Sequence, residues 1–175
     1  QDQITQRTFT DRKGDGAVAS SDWAQFLCNV AGGDGHRHDA LCSAIGYLLH
    51  GYKDPTCAKA VVLMDEKNAD VPEGRTGKSI IGKAIGHLTP RLRLDARNFS
   101  FESRFRFQDV TLGTRVVDFN DASKGFDFER LFSVVTDSWT VERKGQMRHE
   151  IPFADAPKIM ISTNYVLEGE GASFT

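Results

Sequence analysis

No part of this chain stays apolar for long. The longest uninterrupted run, Ala60-Val61-Val62-Leu63-Met64, falls far short of the roughly 20 residues that a membrane-spanning helix requires. Cysteine is scarce: Cys28, Cys42 and Cys57 are odd in number and none stands in a CxxC spacing. That argues against a disulfide framework or a zinc cluster and fits a reducing cytoplasm. Basic charge is not in excess. Lys and Arg number 22 against 24 Asp and Glu, for a net charge of −2 and a pI near 6.2, so any contact with DNA or RNA has to come from a local patch. No secretory signal peptide opens the chain, and no internal repeat is visible. What remains is ordinary globular composition: 175 residues, 39% hydrophobic and 26% charged, enough for one compact domain and too few for two of usual size. The start at Gln1 and the finish at Ser173-Phe174-Thr175, with no closing element, read as a fragment of something larger.

Residues 1–20 are polar and dotted with glycine, the pattern of a flexible N-terminal arm. Ser21 or Asp22 then caps a helix carrying Trp23, Phe26, Leu27 and Val30 at helical spacing. After Gly32-Gly33-Asp34-Gly35, a second helix is expected from about Arg37 to His50, with Leu41, Ile45, Leu48 and Leu49 on one face. Residues 21–57 thus form a helical segment. From residue 58 to 175 the character changes to alternating strand and helix. Strands are expected over Lys59–Met64, Arg91–Leu94, Phe101–Phe107, Thr114–Phe119 and Lys158–Ser162. Helices are expected over Lys78–Gly86 and Asp127–Val135, and a β-hairpin from Trp139 to Phe153 around Lys144-Gly145. This alternation argues for a mainly parallel α/β sheet behind a helical segment.

Glu73-Gly74-Arg75-Thr76-Gly77-Lys78-Ser79 follows an expected strand and opens an expected helix, the context a phosphate-binding loop requires. Its backbone N–H groups, continued by that of Ile80, would wrap phosphates at the positive end of the helix. Lys78 would reach the β- and γ-phosphates, and the Ser79 hydroxyl would hold Mg²⁺. The full pattern begins with glycine, whereas Pro72 stands there in this chain, fixing φ and removing a donor. A surface turn that merely contains Gly-Lys-Ser is the bland alternative.

A nucleotide-hydrolysing site of this type also needs an acid at the end of a neighbouring strand to hold Mg²⁺ through water. Asp65-Glu66 lies on the strand leading into the loop itself, where carboxylates would crowd the phosphates, and reads as a pair of solvated loop charges. Asn120-Asp121, at the end of its own strand, is the better candidate. Asp121 would carry the charge, Asn120 could only accept a hydrogen bond, and Asp118 on the same strand face as Asn120 would assist. Ordinary polar residues at a strand end would look the same. The strand Ile159-Met160-Ile161-Ser162 ends in Thr163-Asn164. The order of loop, acidic strand and polar strand end favours Asn164 as the asparagine that orients attacking water in ring ATPases, over a plain turn. Arg143, Lys144 and Arg148 on the hairpin could touch a nucleic-acid backbone, although most basic hairpin turns are only solvated.

Taken in order, Glu73–Ser79, Phe119-Asn120-Asp121, Phe126–Phe132, Thr140–Lys144 and Pro157–Tyr165 resemble superfamily 3 helicases. More narrowly, they resemble the helicase part of phage and prophage primase-helicases, akin to poxvirus-type replicative enzymes, from about Trp23 onward. The resemblance implies an AAA+-type P-loop NTPase fold, a three-layer α/β/α core, with ATP and Mg²⁺ as cofactors. It further implies a homo-hexameric ring, 3′-to-5′ translocation on single-stranded DNA, a linked primase or primase-polymerase region outside this chain, and no membrane. By the same carry-over, Lys78 and Ser79 bind phosphate and metal, Asp121 takes an acidic position and Asn164 is the sensor. Arg143 and Lys144 would lie on the DNA hairpin. Two departures stand out: the usual pair of acids is Asn120-Asp121, and the segment expected to bear an arginine finger is absent. Two rivals remain. A catalytically weakened nucleotide- or DNA-binding module would bind without turnover, and a small-molecule P-loop kinase would pass phosphate to a small acceptor.

Overall fold

In the computed structural model, which describes residues 21–65 and 76–165, Ser21 caps the first helix by accepting the Ala24 N–H at 3.2 Å. That helix is α1, Asp22–Val30. Asp34 caps α2, Gly35–Leu49, through the Arg37 N–H at 2.9 Å. In each case a short polar side chain satisfies a first-turn donor that has no intrahelical acceptor. The chain continues as β1 (Ala60–Leu63), α3 (Lys78–Leu88), β2 (Arg91–Asp95), β3 (Val116–Ala122), α4 (Phe132–Thr136), β4 (Trp139–Val141), β5 (His149–Ile151) and β6 (Lys158–Thr163).

Four strands pair in the order β1-β6-β3-β2, every pair parallel. Parallel strands are covered on both faces, and the side chains alternate accordingly. Val116 and Met160 meet Leu48, Ile81 and Ile85 under α2 and α3, while Val117, Phe119, Ile159 and Ile161 face the other way. The fold is therefore a mixed α/β arrangement compatible with a P-loop-type core. The second face is covered less by helix than by aromatic side chains and the small antiparallel β4-β5 sheet.

Two expected elements differ. Residues 101–107 form turns instead of a strand. The aromatic residues there and just before are spaced to pack into the core, with Phe99 set against Phe119 at 5.0 Å and Phe107 against Trp139 at 4.7 Å between ring centroids. The expected helix over Asp127–Val135 is a 3₁₀ turn at Glu129–Leu131 followed by the short α4. The hairpin is present with Trp139 opposite Ile151 and Val141 opposite His149. The N-terminal arm, the residues after Tyr165, Glu66 and the loop residues Pro72, Glu73, Gly74 and Arg75 lie outside the described residues.

The helical segment is fastened to the amino end of the sheet. Lys158, buried at the start of β6, donates to the backbone carbonyls of Tyr47 and His50 at 2.5 and 2.9 Å and lies 3.9 Å from the Tyr47 ring centroid. It thereby caps carbonyls at the end of α2 that have no intrahelical partner. Beneath α3, Arg91 pairs with the buried Asp118 at 2.8 Å. A Cβ on Gly82 or Gly86 would stand only 2.8 or 3.0 Å from the Arg91 guanidinium, so the two glycines, one turn apart, form the slot that receives it. Among the described residues no helix is long and apolar enough to cross a membrane.

Candidate functional site

All four parallel strands end on the same side, and in open α/β sheets ligands bind outside those carboxyl ends. There Thr76, Gly77, Lys78, Ser79, Ile80, Asn120, Asp121, Ser162, Thr163 and Asn164 line one open cavity of about 300 Å³. Gly77 opens α3 with φ at +93°, and a Cβ on it would lie 2.9 Å from both Phe26 and Val30 of α1. Glycine is thus required twice, for the left-handed backbone and for the approach of α1. The carbonyl of Gly77 accepts from Ile80 and Ile81. The first-turn N–H groups beside it are the donors a helix start offers to an anion.

The Lys78 ammonium reaches Asp65 at 2.5 Å and the Thr76 hydroxyl at 2.9 Å. This corrects the reading of Asp65 as a solvated loop charge, since its side chain is only 16% exposed. The register explains the position. Leu63 pairs with Ser162 of β6, so the chain two residues further on runs beside the first turn of α3. Burial pushes the Asp65 carboxyl up, but the hydrogen bonds from Lys78 and Thr76 and the charge of Lys78 outweigh it, leaving it below its ordinary value.

On β3 a bulge decides the geometry. Phe119 pairs with Ile161 and Ala122 with Thr163, so three steps on β3 match two on β6 and one residue is extra. Asp121 absorbs the irregularity at φ +64°, a left-handed conformation that aspartate tolerates better than most residues. Its N–H donates to the Ser162 hydroxyl at 3.2 Å. Strict alternation would send Asn120 and Asp121 to opposite faces, yet both line the cavity. Asp121 is held by Arg97 at 2.8 Å. Asp118 does not join them. It is buried under α3 against Arg91, where burial lifts its carboxyl to about 6 against the pull of Arg91 and Arg93. On β6, Thr163 donates to the Ala122 carbonyl at 2.8 Å, tying the two strand ends together, and Asn164 follows at the rim of the cavity.

This donor set fits phosphate and a phosphate-bridged divalent cation: a helix start, an ammonium, a hydroxyl and a carboxylate open on one cavity. Among the described residues no group of three or more His, Cys, Asp or Glu could hold a metal by itself. Such a cation would rely on phosphate and water for its remaining ligands, as Mg²⁺ commonly does.

The hairpin residues divide. Arg143 was expected at the basic tip, but its guanidinium donates to the carbonyls of Gln108 and Val110, both at 2.8 Å, and ties the loop between β4 and β5 to residues 108–110. Lys144 is exposed, and the exposed Arg148 donates to the Thr140 hydroxyl at 3.1 Å. Sequence reasoning missed Arg97, Ser162 and the pairing of Asp65. The available signal was position alone, since each lies at or just beyond the carboxyl end of a parallel strand.

The fold and the cavity together define a parallel α/β chain compatible with a P-loop-type core. Among solved structures, it is similar to the apo A form of the C-terminal region of NrS-1. One such structure has a TM-score of 0.53 and 20% identity over 80% of this chain, and another has a TM-score of 0.54 and 18% identity over 82%. This chain covers 31% and 32% of those chains. No protein-family model and no curated protein matches it.

Proposed function

We propose that this chain is the ATP-hydrolysing core of a phage-type replicative helicase of superfamily 3. It would couple Mg-ATP hydrolysis to movement along single-stranded DNA within a hexameric ring, in the cytoplasm, with a primase or primase-polymerase region elsewhere in the protein. One observation supports this above all. The Lys78-Ser79 start of α3, the bulged Asn120-Asp121 and Asn164 surround one cavity. The fold likeness to the NrS-1 C-terminal region supports the α/β core on which this reading stands.

In this reading Lys78 and the first-turn N–H groups of α3 bind the β- and γ-phosphates, and Ser79 and Asp121 hold the cation, directly and through water. Bound there, Mg²⁺ supplies positive charge to the phosphate oxygens. Asn164 and Asn120 orient water by hydrogen bonding, and neither can take its proton. Lys144 and Arg148 face DNA phosphates while Arg143 holds the hairpin in place.

Calorimetric titration of Mg-ATP into the chain and into Lys78→Ala tests the reading, followed by phosphate release with and without single-stranded DNA. Binding that is lost in the variant, with release stimulated by DNA, is expected. Transfer of phosphate to a small acceptor instead would move the chain among the kinases. One observation favours the second reading, a nucleotide-binding module with weakened catalysis: the acidic pair contains an uncharged Asn120, and Asp121 is already engaged by Arg97. Binding without turnover would single it out.

A further inference from the structure

Each of two cations at the cavity already has an acid for a partner. Lys78 pairs with Asp65 at 2.5 Å, with only 12% and 16% of the two side chains exposed, and Arg97 pairs with Asp121 at 2.8 Å. These four groups sum to zero charge. The lysine that would meet a phosphate is thus already neutralised by a carboxylate from just beyond the end of β1. We propose that Asp65 is a built-in counter-ion of Lys78 that nucleotide phosphate has to displace, so that the site takes up phosphate effectively only together with a divalent cation.

The argument rests on the nucleotide-binding reading above and then on charge. Phosphate that claims Lys78 leaves the Asp65 carboxylate close by, in a partly buried place where like charges are poorly screened. A metal-free nucleotide brings several negative charges to a site whose cations are already matched. A divalent cation arriving with the phosphate restores the balance and lets Lys78 leave Asp65 at little cost. Asp65 follows the carboxyl end of β1, and β6 separates β1 from β3, the strand of Asp121. At a spacing of about 5 Å per strand the two acids are rooted some 10 Å apart. Asp65 therefore acts on the lysine side of the phosphates and Asp121 on the metal side.

The test measures binding of ADP to the chain, to Asp65→Asn and to Asp65→Ser, by calorimetry in EDTA and in Mg²⁺. The near-isosteric amide keeps the acceptor and removes the charge, and the serine is the second variant should the amide fail to fold. For the unaltered chain, Mg²⁺ is expected to tighten ADP binding by about tenfold or more. Either variant is expected to bind metal-free ADP about tenfold more tightly than the unaltered chain, on the scale of one partly buried charge pair. The gain from Mg²⁺ shrinks by a similar factor. Equal affinity of the unaltered chain with and without Mg²⁺ overturns the proposal, as does a folded variant whose metal-free affinity is unchanged. In both cases the nucleotide-binding reading stands. No ADP binding by the unaltered chain under either condition removes that reading and the proposal together.

Discussion

Lys78 and Lys158 stand at opposite ends of the same sheet and are satisfied in opposite ways. Lys158, at the amino end, has no carboxylate among its hydrogen-bond partners in the described residues. Its ammonium is held by the carbonyls of Tyr47 and His50 and by the His50 ring. Lys78, at the carboxyl end, has a carboxylate partner and opens on a cavity. A carbonyl cannot leave its helix, so the contact at Lys158 holds structure. A side-chain ion pair beside a cavity can be exchanged for another anion, so the contact at Lys78 is available to a ligand. The same division separates Arg91–Asp118, sealed under α3 with Asp118 only 2% exposed, from Arg97–Asp121, exposed at 61% and 36%.

The largest expected effect comes from the sealed pair. Arg91→Met leaves Asp118 as a buried charge whose other oxygen, Oδ1, has no hydrogen-bond partner among the described residues. Loss of one member of such a pair costs about 3–5 kcal/mol. Arg97→Met removes the exposed pair and should cost about 0–1 kcal/mol. Urea unfolding of both variants compares them directly, and equal losses would abolish the distinction between the two ends of the sheet.

The two lysines come next. Lys158→Ala strands carbonyls at the end of α2 and should cost about 2–3 kcal/mol, less than the pair because it also removes a desolvated charge. Lys78→Ala leaves the mostly buried Asp65 without its cation and should cost about 1–3 kcal/mol, with a further loss in Mg-nucleotide affinity that Lys158→Ala does not share. The pH dependence sharpens the contrast. Burial, followed by the neighbouring charge of Lys53, pushes Lys158 down to about 8, and burial alone takes Lys53 to about 8. Between pH 8 and the ordinary lysine value the unfolded chain therefore holds protons that the folded chain has shed, so these groups make stability rise with pH across that window. Their contribution is fully present above the ordinary value and is lost as pH falls through 8. Burial also holds the adjacent His50 below its ordinary value, with Lys158 adding to the shift. In Lys158→Ala the rise between pH 8 and 10 should shrink, whereas in Lys78→Ala it should persist.

Much of this was legible in sequence because it is local. The capping residue Ser21, the apolar runs of β1 and β6, and the Gly77-Lys78-Ser79 start of α3 each announce themselves within a few residues, whereas the cap Asp34 is hidden in the glycine run that reads only as a break. The rest depends on neighbours distant in the chain. Asp65 reads as a loop charge until β1 is paired with β6 beside α3. Asn120 and Asp121 look like alternate-face residues until the bulge turns both to the cavity, and a one-residue excess leaves no periodic trace. The run from Phe101 to Phe107 carries the aromatic content of a strand, but its rings serve the core of the sheet without joining the ladder. The reading of Asp118 as an accessory acid failed for a related reason. Its strand face is correct, but the face at that level is closed by α3 and occupied by Arg91.

The smallest expected effects test whether the same distinction holds within the hairpin. Arg143 resembles Lys158, a cation consumed by two backbone carbonyls. Its neighbour Lys144 is exposed. Arg143→Ala should therefore lower stability by about 1–2 kcal/mol through the unpaired carbonyls of Gln108 and Val110, and any change in DNA affinity should follow from the displaced hairpin. Lys144→Ala should leave the unfolding midpoint unchanged, weaken single-stranded DNA binding and reduce the slope of log affinity against log salt by about 0.7, the share of one phosphate contact on a single strand. Measuring both variants by fluorescence anisotropy at several salt concentrations separates the roles, because a displaced hairpin and a missing phosphate contact need not change the slope equally. If Lys144→Ala leaves affinity and slope untouched while Arg143→Ala alters the slope alone, the anchoring argument is wrong for the hairpin and the backbone-bound guanidinium is the group that meets the phosphate.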